Sequence, residues 1–96
     1  MRDWVIQVYA VEYNRRVGIL GPSHPNTLVS MNNLAILYKS QGKYDQAEPL
    51  YVECLALKKA ILGASHPSTL ATMNNLANLY KSQGKYDQYR EDNYGF

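Results

Sequence analysis

The sequence has 96 residues, enough for one small domain with a marginal core. Ten Lys and Arg against eight Asp and Glu leave a net charge of +2. With no basic cluster larger than Arg15-Arg16 or Lys58-Lys59, the chain lacks the positive funnel that a nucleic-acid surface needs. The single cysteine, Cys54, excludes an internal disulfide framework and a cysteine-based zinc site within one chain.

Met1 to Ile6 contains no long apolar run after Arg2, so no signal peptide is expected. No stretch approaches the ~20 apolar residues of a membrane-spanning helix. A soluble, cytoplasmic protein is the expectation.

In chain order, residues 8–20 read as the second helix of an earlier repeat unit. Tyr9, Ile19 and Leu20 recur 42 residues later as Tyr51, Ile61 and Leu62; the other positions diverge. A loop, Gly21-Pro22-Ser23-His24, leads into a helix expected over 26–40. Its apolar positions Leu28, Met31, Leu34, Ala35 and Tyr38 fall at helical spacing. Pro25 suits the first turn, where a missing N–H costs nothing, and Ser23 or His24 is placed to cap. Gln41-Gly42 ends the helix, with Gly42 expected in a left-handed backbone conformation. A short hinge then forces an antiparallel second helix, expected over 44–61. Tyr44, Ala47, Leu50, Tyr51, Cys54, Leu55, Leu57 and Ile61 form its broad apolar face. Asp45 near its start and Lys58-Lys59 near its end suit the helix dipole. Ala35 and Ala47 mark the close contact of the hairpin, with Tyr38 and Tyr51 beside them.

The unit then repeats. Residues 61–88 match residues 19–46 at 23 of 28 positions, at a constant offset of 42. The differences are Pro22/Ala64, Asn26/Ser68, Val29/Ala71, Ser30/Thr72 and Ile36/Asn78. Such a period means stacked supersecondary units, none of which buries its apolar face alone. A helix is therefore expected over 68–82. Beyond it the pattern breaks: Ala47, Leu50 and Tyr51 become Tyr89, Asp92 and Asn93. A diverged terminal cap and a truncated second helix both account for this, and the break mid-helix in register favours truncation.

The residues that recur carry a resemblance. Met31, Leu34-Ala35, Tyr38, Ala47, Tyr51 and Cys54 follow the order of large, small and aromatic positions in the tetratricopeptide repeat. The second copy matches through Met73, Leu76-Ala77 and Tyr80 and departs at Tyr89. The usual closing Pro is replaced by Lys59. The 42-residue length, the loop Leu20-Gly21-Pro22-Ser23-His24-Pro25, Thr27 and Asn32-Asn33-Leu34-Ala35 resemble the form found in kinesin light chains. HEAT and armadillo units have similar lengths, but Leu-Ala-x-x-Tyr followed by a Gly hinge, Ala and Tyr does not fit them.

The resemblance implies an all-α, right-handed solenoid of about two antiparallel helix pairs. Its expected divisions are a remnant over 8–20, one unit over 22–63 and a second over 64–96. It also implies a protein-protein interaction scaffold rather than an enzyme, with no cofactor, related to kinesin-associated adaptors that work on microtubules. The alternative is a structural spacer within a longer solenoid, without a ligand of its own. In the family the first helices line the inner face. There the positions of Asn32, Asn33, Ile36 and Lys39, with Asn74, Asn75, Asn78 and Lys81, face a bound peptide. An Asn amide offers both donor and acceptor to a peptide backbone. Hydrogen bonding between units is the competing role for each Asn pair, and a solvated surface is the competing role for each Lys.

His24 and His66 stand a whole repeat apart and read as caps, because no second His or Cys is at hand to make a metal site. Cys54 reads as a buried, inert small residue. No Ser-His-Asp set, paired carboxylates or phosphate loop is present in the sequence. The ends of such a short solenoid leave apolar surface under-covered, so self-association through them is the remaining partner, with a two-fold pairing preferred because the ends are diverged.

Overall fold

The computed structural model describes residues 3–84, with side chains from Trp4 onward, and contains four helices and no strand among them. Helix α1 spans Asp3–Leu20, α2 Pro25–Ser40, α3 Tyr44–Leu62 and α4 Pro67–Ser82. The helices expected over 26–40, 44–61 and 68–82 are present within a residue of those bounds. The helix expected over 8–20 begins earlier, at Asp3, and so takes in Trp4, Val5 and Ile6. The expected divergence from Tyr89 lies outside the described residues.

Local chemistry explains the boundaries. Pro25 and Pro67 occupy the first turns of α2 and α4. The side chain before each proline caps the helix: His24 Nδ1 accepts the Asn26 N–H at 3.1 Å, and His66 Nδ1 accepts the Ser68 N–H at 3.0 Å. Each ring thus satisfies one of the donors a helix start leaves unpaired. At the other end of α2, Gly42 sits at φ +77°. The Gly42 N–H reaches Lys39 O at 2.9 Å and the Lys43 N–H reaches Tyr38 O at 2.8 Å. This paired closure of the last turn is the Schellman arrangement, which needs a left-handed residue at that point. Pro49 lies in the second turn of α3. It is exposed, and the carbonyl it cannot serve is that of Asp45, also an exposed residue.

The helices pack mainly on their neighbours in sequence: α1 on α2, α2 on α3, and α3 on α4. The core runs through all three seams. Ala35, Ala47 and Tyr51 join Leu76, Leu79 and Tyr80 of α4, with Tyr38, Tyr44, Leu50 and Leu55 packed around them. Ala35 and Ala47 are both fully buried, as the close approach of a hairpin requires. A second cluster places Ile6 of α1 against Leu34 and Leu37 of α2.

A polar contact is also repeated at the 42-residue offset. Arg16 donates to Asn26 O at 2.9 Å, and Lys58, its counterpart, approaches Ser68 O at 3.5 Å. In both cases a cation near the end of a second-type helix meets a carbonyl in the first turn of the next helix. One expected core position departs from this frame. Ile61 is half-exposed and Leu62 is exposed, because α3 has 19 residues against 16 in each partner. At 1.5 Å per residue its last turn overhangs them by about 4.5 Å.

Candidate functional site

An open concavity lies between α1 and α2. Trp4, Val8 and Val11 stand at i, i+4 and i+7 on α1, so they form one exposed apolar stripe. Across from them α2 presents Val29, Ser30 and Asn33, and the two rows enclose a groove of about 700 Å³. Gln7, Tyr9, Glu12 and Arg16 complete its lining.

The charges in the groove are internally matched. Glu12 Oε1 receives Arg16 Nε at 2.8 Å and Arg15 Nη2 at 3.2 Å. Hydrogen bonds from Arg15 and then Arg16 hold the Glu12 carboxyl below its ordinary range. The groove therefore offers apolar surface and the side-chain amides of Gln7 and Asn33, with little unbalanced charge.

The residues expected to face a ligand divide between two helices. Asn33 lines this groove, and Ile36 is exposed one turn farther along α2. Lys39 is half-buried. Asn74, Asn78 and Lys81 are exposed on α4, and none of them lines the α1/α2 groove.

The two Asn pairs have reversed environments. Asn32 is half-buried and Asn33 exposed, whereas Asn74 is exposed and Asn75 half-buried. The Oδ1 atom of Asn32 is buried and has no hydrogen-bond partner among the described residues. α2 packs mainly on α1 and α3, whereas α4 packs mainly on α3, which accounts for the exposure of Asn74 but not for the burial of Asn75.

Four apolar residues of the groove, Trp4, Val8, Val11 and Val29, are not among the site residues expected from sequence. Trp4, Val8 and Val11 carry a helical apolar spacing that was legible, but the remnant helix was begun at 8 and so excluded Trp4. Val29 does not recur in the second unit, where its counterpart is Ala71.

Other chemistry-bearing residues have structural occupations. His24 and His66 cap helices, as described above. Cys54 is fully buried, with Sγ 4.0 Å from Leu28 O. Burial pushes its thiol pKa up, an effect that the charge of Lys58 opposes. Lys58 also donates to Thr72 Oγ1 at 2.9 Å, tying α3 to α4. Among the described residues no group of three or more His, Cys, Asp or Glu is placed to hold a metal ion. None of the described helices is long and apolar enough to cross a membrane.

A search of curated proteins finds no match to the chain. The family model of the tetratricopeptide repeat matches residues 27–68 and again 69–92. These matches cover more than half of the sequence and fall on the helices whose packing and caps repeat at 42 residues, so the chain belongs to the tetratricopeptide repeat family.

Proposed function

We propose that this chain binds a segment of a partner protein on the face that carries the α1/α2 groove. Tetratricopeptide repeats generally mediate protein-protein interactions, and the observation that carries the reading here is the exposed stripe Trp4–Val8–Val11 facing Val29 with the Asn33 amide beside it. A contiguous apolar surface with a polar group at its edge is a binding surface rather than an ordinary solvated face.

In this reading Asn33 and Ile36 of α2, with Asn74, Asn78 and Lys81 of α4, contact the ligand. Asn32, Lys39 and Asn75 border that surface and order it. An extended peptide takes its backbone hydrogen bonds from the Asn amides, and Lys81 answers an acidic side chain or a C-terminal carboxylate. The role is that of an adaptor resembling the cargo-binding repeats of a kinesin light chain, working in the reducing cytoplasm, and it requires neither catalysis nor a cofactor.

The test is a peptide array probed with the chain and with its Asn33→Ala, Asn74→Ala double variant. Peptides captured by the chain and lost by the variant support the reading. Capture that is indifferent to the variant removes the Asn residues from the site. A chain that captures nothing acts as a spacer within a longer solenoid.

A further inference from the structure

The 42-residue offset allows identical residues to be compared in two surroundings. At some positions exposure follows the neighbours. Tyr51 on α3 is 1% exposed and its counterpart Tyr9 on α1 is 41% exposed, while Leu28 on α2 is 4% exposed against 50% for Leu70 on α4. The pair that ends α1 and α3 behaves otherwise. Leu20 and Leu62 are each 39% exposed, and Ile19 and Ile61 are 69% and 48% exposed. Ile19-Leu20 is followed in the chain by α2, α3 and α4, whereas Ile61-Leu62 is preceded by α1 and α2. The helices after the first pair do not cover it, and the helices before the second do not cover that one. The exposure therefore belongs to the repeat and not to either end of the sequence.

Both pairs lie on the same edge of the stack. Helices α1 and α3 both run antiparallel to α2, so their last turns point the same way. Gly21 at φ +93° and Gly63 at φ +94° turn the chain away immediately after each leucine. Exposed Pro22 and Ala64 extend the apolar surface into the loops.

The two basic pairs of the sequence stand about one turn back on the same helices. Residues 13–28 and 55–70, which make up the two corners, contain Arg15, Arg16, Lys58 and Lys59 and no Asp or Glu. The rest of the sequence has six Lys and Arg against eight Asp and Glu, so the positive charge is concentrated on this edge. Glu12, just outside the first corner, offsets one arginine. Arg16 and Lys58 are held in place by Asn26 O and Thr72 Oγ1, whereas Arg15 and Lys59 are exposed. At the first corner Arg15, Arg16, Ile19, Leu20 and Asn26 line one hollow of about 250 Å³, so cations and apolar side chains share a surface there.

We propose that this edge seats the chain on an anionic lipid surface. Ile19-Leu20 and Ile61-Leu62 enter the headgroup layer, and the four cations meet the lipid phosphates and carboxylates. Apolar insertion and attraction to anionic headgroups are the two contributions that hold a protein at a bilayer surface, and neither requires a spanning helix. The apolar pairs stand at the tips of separate helices. A bilayer covers separate tips at once, whereas a peptide takes a continuous groove. The proposal stands apart from the reading of the α1/α2 groove.

The experiment is co-sedimentation of the chain with vesicles of phosphatidylcholine alone, and of phosphatidylcholine with about one third phosphatidylserine. Partition onto the mixed vesicles should be at least about tenfold stronger than onto the neutral ones, and it should fall when salt rises from about 0.1 to about 0.5 M. Lys59→Glu and the Ile19→Ser, Ile61→Ser double variant alter exposed residues, and each should weaken partition at least about fivefold with an unchanged circular dichroism spectrum. A chain that stays off the mixed vesicles overturns the proposal. So does partition that the isoleucine double variant leaves unchanged, the mark of attraction by charge alone. Capture of an acidic peptide that this double variant loses, with no vesicle binding, puts a protein segment on the edge in place of lipid.

A second measurement identifies the face in contact. In a Cys54→Ser chain, a polarity-sensitive dye is attached at Ile61→Cys or at Ile36→Cys, the latter exposed in the middle of α2. Emission should rise on the mixed vesicles for the dye at position 61 and stay constant for the dye at position 36. An equal response at both, or a response at position 36 alone, refutes the assignment of this edge.

Discussion

Replacing Gly42 by valine isolates the backbone requirement of the α2–α3 hinge from its packing. A Cβ built on Gly42 meets no atom within 4 Å, so collision with neighbours contributes nothing. What remains is the φ of +77°, in the left-handed region. An L-residue there costs roughly 1–2 kcal/mol, and a β-branched one more, because its second branch crowds the backbone. Loss of chain freedom in the unfolded state returns about 0.4–1 kcal/mol. The net for Gly42→Val is a destabilisation of about 2 kcal/mol, with Gly42→Asn well below it because asparagine tolerates this region.

The control is Ser40→Ala, two residues away. Ser40 is exposed, and its hydroxyl donates to Leu37 O at 2.8 Å. Alanine loses that bond but is the better helix former, so the change should stay within about 0.5 kcal/mol. For a chain of this size a 2 kcal/mol gap separates the two melting temperatures by roughly 8–16 °C. Thermal and urea melts followed by circular dichroism, with unchanged m-values, measure it. Equal midpoints for the two variants would refute the reasoning.

Three further outcomes follow from the same structure. Tyr51→Ala should cost about 3–5 kcal/mol and Tyr9→Ala less than about 1, although both tyrosines hold the same repeat position; similar urea midpoints would contradict the burial contrast. His66→Ala should lose about 0.5–2 kcal/mol of stability, and His66→Asn should recover most of it, since asparagine supplies the same capping acceptor. If asparagine is no better than alanine, the ring acts in some way other than as a cap. Cys54 should react with a thiol reagent at pH 8 at least about tenfold more slowly in the folded chain than in urea, because its buried thiol resists ionisation and is shielded. Equal rates would place it at the surface.

Much of the fold was legible because its punctuation is local. Pro25, Pro67, the two Ser-His pairs and Gly42 act within a turn of where they stand, so helix ends could be read from them directly. The hairpin crossing was legible from Ala35 and Ala47, since only small residues permit that approach. What could not be read is which neighbour covers each face. Leu37 lies outside the main apolar spacing, yet it is buried against Ile6, because α1 begins earlier than its weak match to the repeat suggests. Tyr9 and Tyr51, or Leu28 and Leu70, are the same residue at the same register with different surroundings. Sequence similarity is blind to that difference, since it arises from the position of the unit in the stack. The candidate site suffered similarly: the Asn pairs were visible, whereas the reversal of their exposure depends on neighbours.

The sequential packing of the helices has a kinetic consequence. Since the helices take their main contacts from neighbours in sequence, most contacts close loops no longer than a helix pair, and the entropy lost in forming them is modest. The α2–α3 hairpin holds most of the fully buried side chains, Met31, Ala35, Ala47, Tyr51 and Cys54 among them, so it is the natural nucleus. Amide protons should exchange most slowly there and faster outward into α1 and α4, a gradient rather than a single opening. A molecule assembled in this way also grows without redesign. Another 42-residue copy extends the stack while leaving earlier units as they were, and the near-identity of residues 19–46 and 61–88 is the trace such a duplication leaves.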